Sequence, residues 1–218
     1  MPFVWTDGKE IGKPTNILKG LMGAREICGR VKTLGYLQNV RAWAASKSPT
    51  AQKLLKVIDS SNITIYLVGM EGGFTCFDSD PKPAGTIYMD LGLQVSLNPG
   101  GSTGMHKGFE RLHPYVAFLH EAGHAVQFIE TPKQFDNSAK GPMYALKADI
   151  EQAVLKRAER VHGSVPYAQR RIWFSQGPLT GMPWAVRLEY DNIFRHERPI
   201  CLESGQPLRD YYADIQIG

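Results

Sequence analysis

His120-Glu121-Ala122-Gly123-His124 places two imidazoles and a carboxylate within five residues. On a helix, residues four apart sit one turn above each other. Both imidazoles can then reach one zinc ion, at roughly 2.0–2.1 Å from each nitrogen. Glu121 follows the first histidine and can lie beside a metal-bound water, placed to act as its general base. The chemistry this implies is zinc-dependent hydrolysis, with a peptide bond as the substrate class. The competing reading is a pair of core histidines satisfied by backbone or a carboxylate, with Glu121 paired to an arginine.

A catalytic zinc takes three protein ligands and keeps one position open. The motif supplies two. A metzincin arrangement would put the third as a histidine six residues after His124. That position holds Glu130, and the required glycine is replaced by Gln127, so this arrangement is excluded. Glu130 lies about a turn and a half further along the same helix and points elsewhere. A second helix can instead supply a carboxylate. Residues 143–162 offer Asp149, Glu151 and Glu159. At about 100° per residue, Glu151 borders the stripe formed by Leu146, Ile150, Ala153, Val154, Ala158 and Val161, whereas Asp149 and Glu159 turn toward solvent. Glu151 is therefore the candidate third ligand, with His162 on a similar edge as the runner-up.

These residues need elements to position them. Around the motif, Tyr115 to Leu119 and Ala125 to Ile129 form an apolar run without proline. Pro114 suits a first helical turn and Thr131-Pro132 a stop, which predicts a helix of about four turns, buried nearly all round. Upstream, residues 16–45 carry a helical pattern interrupted by Gly20, Gly23 and Gly29. Residues 49–59 read as a short helix capped by Ser48 and opened by Pro49. The period then changes. Ile63, Ile65 and Leu67 alternate as a strand. Phe74 to Phe77 and Thr86 to Asp90 are further strands, and Val95 to Leu97 a short edge strand. Downstream, helices are expected at about 143–162 and 185–196, with the tail from Arg198 to Gly218 mostly loop. The expected class is α+β. We read one domain over residues 1–218: a helical part to residue 60, sheet and motif helix over 61–130, and a helical part over 131–218.

Composition narrows the function classes. The 218 residues are 43% hydrophobic and 21% charged, as in a globular domain able to bury its own core. A net charge of +4 with dispersed basic residues makes no nucleic-acid footprint. Cys28, Cys76 and Cys201 are an odd number without a C-x-x-C spacing, which reads as reduced thiols. Met1 to Asn16 has no apolar stretch of the kind a Sec signal peptide needs, and no apolar run reaches membrane-spanning length.

The C-terminal third carries a second pattern. Asn192-Ile193-Phe194-Arg195-His196-Glu197 reads N-x-x-R-x-E, and Gly205 to Tyr212 reads G-x-P-x-R-x-x-Y. With H-E-x-x-H upstream, this order resembles the NleD-like family of bacterial effector and toxin zinc metallopeptidases. More distantly it is similar to the clostridial neurotoxin light chains. The resemblance spans roughly residues 86–212 by pattern. It implies a zincin-like fold, zinc held by His120 and His124, Glu121 as base, a glutamate ligand on the next helix, and Arg209 and Tyr212 over the metal. Members usually show Glu-Glu at the third ligand, followed by a turn with glycine. This chain has Ile150-Glu151 and no such glycine, so Glu151 departs from the pattern.

The resulting expectation is an effector or toxin endopeptidase. It would be kept in the bacterial cytoplasm until a type III or type VI system delivers it to the target-cell cytosol, where it cuts a host or rival protein. A secretion chaperone or an immunity protein is the implied partner. The alternative is a non-catalytic binding module on a zincin scaffold. In either case an edge strand before the motif helix, Val95 to Leu97 or Thr86 to Asp90, would bind extended peptide by strand addition.

Overall fold

A computed structural model describes residues 2–13, 15–73, 75–97, 110–132, 135, 188, 191–208 and 215–217. Its order is β1 (Phe3–Trp5), α1 (Thr15–Met22), β2 (Glu26–Ile27), α2 (Arg30–Lys47), α3 (Pro49–Asp59), β3 (Ile65–Glu71), β4 (Cys76–Asp78) and β5 (Gly85–Asp90). There follow β6 (Val95–Leu97), β7 (Glu110–Leu112), α4 (Pro114–Glu130), a π-helical turn (Ile193–Glu197), α5 (Arg198–Ser204) and β8 (Ile215–Ile217). Helices and a small mixed sheet combine in one architecture, compatible with the expected α+β class.

The larger sheet has the order β1-β3-β5-β4, and β2 also pairs with β3. β1, β3 and β5 run parallel, with Ile65 opposite both Phe3 and Gly85. β4 is antiparallel to β5 and ends the sheet. Side chains alternate across β3 and β5. Ile65, Leu67, Ile87 and Met89 join the core that holds α2, α3 and α4, whereas Val68, Met70 and Tyr88 pack with Ile11, Met22 and Ala24 from the N-terminal segment. Both faces are thus covered, which explains why β5 is buried along its whole length. α2 crosses β3 at Gly69, where a Cβ would lie 2.3 Å from the Thr33 hydroxyl.

The helical pattern over 16–45 resolves into two helices with β2 between them. Gly23 takes a positive φ of 64° and ends α1, and Gly29 precedes α2. α3 starts as its sequence predicts: the Ser48 side chain accepts from the Ala51 amide, and Pro49 opens the first turn. In the second sheet β6 lies between β7 and β8, so Val95 to Leu97 is a central strand and not an edge. Thr86 to Asp90 is not an edge either, because β3 and β4 flank it. Among the described strands, the edge beside the motif helix is β4. The third strand of the smaller sheet arrives from Ile215 to Ile217, a partner too distant in sequence for local pattern to reveal.

The helix predicted to end near His196 continues instead through Pro199 to Ser204. A proline inside a helix lacks its N–H. Here the winding loosens just upstream, where the Arg198 amide bonds to Ile193 O five residues back, and Pro199 falls in the first turn of α5. α5 ends on Gly205, whose positive φ of 66° suits a left-handed cap.

Candidate metal centre

α4 spans 17 residues from Pro114. The His113 side chain caps it by accepting from the Tyr115 amide at 3.3 Å. Burial holds the His113 imidazole below its ordinary pKa, which favours the neutral, accepting ring. As expected, α4 is buried nearly all round. Its polar residues inside the protein are His120, His124 and Gln127, which share one face at spacings of three, four and seven.

The two histidine rings stand edge to face with centroids 4.8 Å apart and Nε2 atoms 3.2 Å apart. Their other nitrogens are committed. His120 Nδ1 lies 2.6 Å from Glu197 Oε2, and His124 Nδ1 lies 2.8 Å from Gln127 Oε1. The Gln127 amide is oriented independently: its NH2 group donates to Leu188 O at 3.0 Å and to Asp191 Oδ2 at 2.9 Å. Its oxygen must therefore accept, and His124 Nδ1 must carry the proton. A carboxylate imposes the same tautomer on His120. With both Nδ1 protons so placed, the two Nε2 atoms face each other and need a cation or a proton between them.

A cation between them relieves that opposition. A shared proton qualifies, but 3.2 Å is at the long limit of hydrogen bonding. The separation is close to the roughly 3.3 Å expected for two nitrogens on one tetrahedral zinc. His120 and His124 therefore fit as two ligands of a metal ion. Among the described residues, no group of three His, Cys, Asp or Glu side chains forms a complete set. Glu151, Asp149, Glu159, His162, Arg209 and Tyr212 all lie outside the described residues. Glu130 points away from the histidines, as its position on α4 predicts. Arg195 grips it with two guanidinium bonds of 2.5 and 2.6 Å and holds its carboxyl below the usual range.

Glu121 leaves the histidine face and reaches β4, where its Oε2 accepts the Phe77 amide at 2.9 Å. That amide points outward from the sheet. Cys76 and Asp78 pair across to Tyr88 and Thr86, and Phe77 opposes Ile87. The carboxylate is thus oriented by β4, the outermost strand of this sheet among the described residues. Phe77 itself packs inward against Phe128 and Phe135, with ring centroids 5.7 and 5.4 Å away, and Phe135 also flanks His124.

The segment around the π-helical turn docks on this face. Asn192 donates to His120 O at 2.8 Å, and its Oδ1 sits where a Cβ on Gly123 would be, 1.9 Å from that position. Gly123 is therefore required by close approach. Winding of the α type would turn Asn192 and Glu197 about 140° apart, whereas i→i+5 winding brings residues five apart toward one side. Both reach α4 from this turn. His196, also buried, is pushed down to about 4 by its desolvation and by the neighbouring Arg195 charge, so it is neutral here.

Local sequence pattern assigns no role to Gln127 or Glu197. Gln127 had a local signal, a lone amide inside an apolar run on the histidine face. Glu197 had only its place in N-x-x-R-x-E, because its partner is 77 residues away. No family model, curated protein or solved structure matches this chain.

Proposed function

We propose that the chain is a zinc-dependent endopeptidase of effector or toxin type with a zincin-like fold, acting on a protein in a target cell. The observation that carries this reading is the pair of Nε2 atoms 3.2 Å apart, with both Nδ1 protons committed to fixed acceptors. The antiparallel edge strand β4 beside the motif helix supports the zincin-like architecture. Delivery by a type III or type VI system, with a chaperone or immunity protein as partner, rests on the resemblance of residues 86–212. It is compatible with cysteines that form no disulfide with one another. No helix among the described residues is long and apolar enough to cross a membrane.

His120 and His124 would hold the metal, with Glu151 the candidate to complete the set. Zinc, when bound, supplies a Lewis acid for the scissile carbonyl and an acidified water. Glu121, anchored by the Phe77 amide, is the base: it takes a proton from water and delivers it to the leaving amine. Arg209 and Tyr212 are assigned the tetrahedral oxyanion, as hydrogen-bond donors. Substrate strand addition moves from the two strands named by sequence to β4. In an extended strand a residue's N–H and C=O share a side, so Phe77, with its N–H given to Glu121, presents its C=O outward.

Metal analysis of the native protein and of Glu121→Gln tests the reading. We expect about one zinc in each, as a single three-ligand site holds, and loss of proteolysis only in the variant. Native protein that binds no zinc ends the enzyme reading; zinc binding without proteolysis in the native protein favours the binding module. Phe77→Pro, tolerable on an edge strand, removes the N–H that anchors Glu121. It should lower kcat/KM, and unchanged cleavage would exclude the Phe77 amide as the anchor of the base.

A further inference from the structure

We propose that Gln127 and Glu197 are positioning residues for the metal, and that through them metal binding and docking of Leu188 and residues 191–197 form one equilibrium. This inference rests on the reading of His120 and His124 as metal ligands.

An imidazole that meets a metal through one nitrogen can still rotate unless its second nitrogen is held. Outer hydrogen bonds fix the tautomer, fix the ring plane and raise the basicity of the ligating nitrogen. The two histidines are held differently. His120 meets a carboxylate directly, at 2.6 Å. His124 meets a carboxamide that relays from a carboxylate. Asp191 Oδ2 and Leu188 O accept the Gln127 NH2, and Gln127 Oε1 accepts His124 Nδ1–H. The relay has one polarity. Flipping the amide would face its oxygen against two acceptors and its NH2 against a protonated nitrogen. An interior site makes that costly.

Leu188 and Asp191 precede the π-helical turn and Glu197 closes it, and all three bond to the face of α4 that carries the histidines. The segment is fastened along the helix by further bonds: Asn192 to His120 O, Arg195 to Glu130, and the Gln206 side chain, which accepts the His113 amide at 2.9 Å. If the docked segment sets the lone pairs at 3.2 Å, the metal binds the docked state better than the undocked one. Linkage then requires the metal to stabilise docking by the same factor that docking strengthens metal binding.

The test measures zinc affinity by chelator competition, visible absorption of the cobalt-loaded protein, and amide exchange of residues 191–204 with and without zinc. Gln127→Leu and Glu197→Gln should each weaken zinc binding about 10- to 100-fold and shift the cobalt bands. Asp191→Asn, one bond further out, should have a smaller effect of the same sign. Arg195→Ala removes a partly exposed ion pair that fastens the same segment without touching either ring, so it should weaken zinc binding while leaving the cobalt bands unchanged. In the native protein, zinc should slow exchange across 191–204, a measurement that needs no variant to fold. Native-like zinc affinity and cobalt bands in both Gln127→Leu and Glu197→Gln would overturn the inference and leave the metal reading standing. Exchange insensitive to zinc would overturn the coupling in the same way. Native protein that binds no zinc would overturn both.

Discussion

Two neighbouring helices differ in what their buried faces need. α3 and α4 pack against each other in one core, and each opens on a proline behind a side-chain cap. The buried residues of α3 are Ala51, Leu54, Leu55 and Ile58. Those of α4 include His120, His124 and Gln127 among apolar neighbours. An apolar side chain is satisfied by any close-packed apolar surroundings. A buried imidazole or amide requires a particular donor or acceptor. The polar face of α4 therefore dictates what must dock on it, and α3 dictates only shape. Burial of polar groups on α4 points to a site; burial on α3 points to stability.

The largest expected effect breaks the comparison from the α3 side. Leu54→Ala leaves a cavity in the core that α3 and α4 share, and should cost about 2–5 kcal/mol of unfolding free energy. Because α3 contributes no group to the candidate site, the loss should be equal with and without zinc. Chemical denaturation under both conditions measures it. A loss that zinc largely restores would mean that the α3 face and the metal face are not separable.

The next effect comes from α4. Gly123→Ala adds one methyl, yet that methyl would lie 1.9 Å from Asn192 Oδ1 and 3.1 Å from His196 Cδ2. Overpacking of this kind costs about 1–3 kcal/mol. The cost should appear as displacement of the 191–197 segment, not as general unfolding. Zinc affinity should therefore fall together with stability, unlike in Leu54→Ala. A fully stable Gly123→Ala with native zinc binding would show that Asn192 can move without disturbing the histidines.

The same contrast explains what was legible in the sequence. α3, its Ser48 cap, the β3 and β5 strands and the limits of α4 follow from local pattern, because period, caps and prolines act over a few residues. The spacing of His120 and His124 is equally local, and the structure brings their Nε2 atoms together as that spacing implies. What the pattern could not carry was pairing between distant segments. Whether Val95 to Leu97 is an edge depends on Ile215 to Ile217. The acceptor for His120 is Glu197, and the orientation of Gln127 depends on Leu188 and Asp191. The continuation of α5 past Pro199 was hidden for a related reason: a proline reads as a stop unless the turn before it widens.

The smallest effect concerns a polar contact that α3 does have, at its N-terminus. Glu203 of α5 accepts from the Ser48 hydroxyl, the Thr50 amide at 3.0 Å and the Thr50 hydroxyl at 2.7 Å. Partial burial opposes its ionisation, but these bonds outweigh that and hold the carboxyl below the usual glutamate range. A carboxylate depressed in the folded state adds stability above its unfolded pKa and loses it as pH falls through the folded value. The contribution of Glu203 should thus be present at neutral pH and disappear on acidification below the ordinary glutamate range. Glu203→Gln should destabilise slightly at neutral pH, because solvent screens an exposed site, and the difference from native protein should vanish in acid. Thermal unfolding across that pH range checks the sign. Zinc affinity should not change, because Glu203 holds α5 to α3 and touches neither histidine partner. A Glu203→Gln variant that lost metal binding would show that the docking of α5 on α3 and that of Leu188 and residues 191–197 on α4 are one event, and the two helices would then differ in chemistry but not in what holds them.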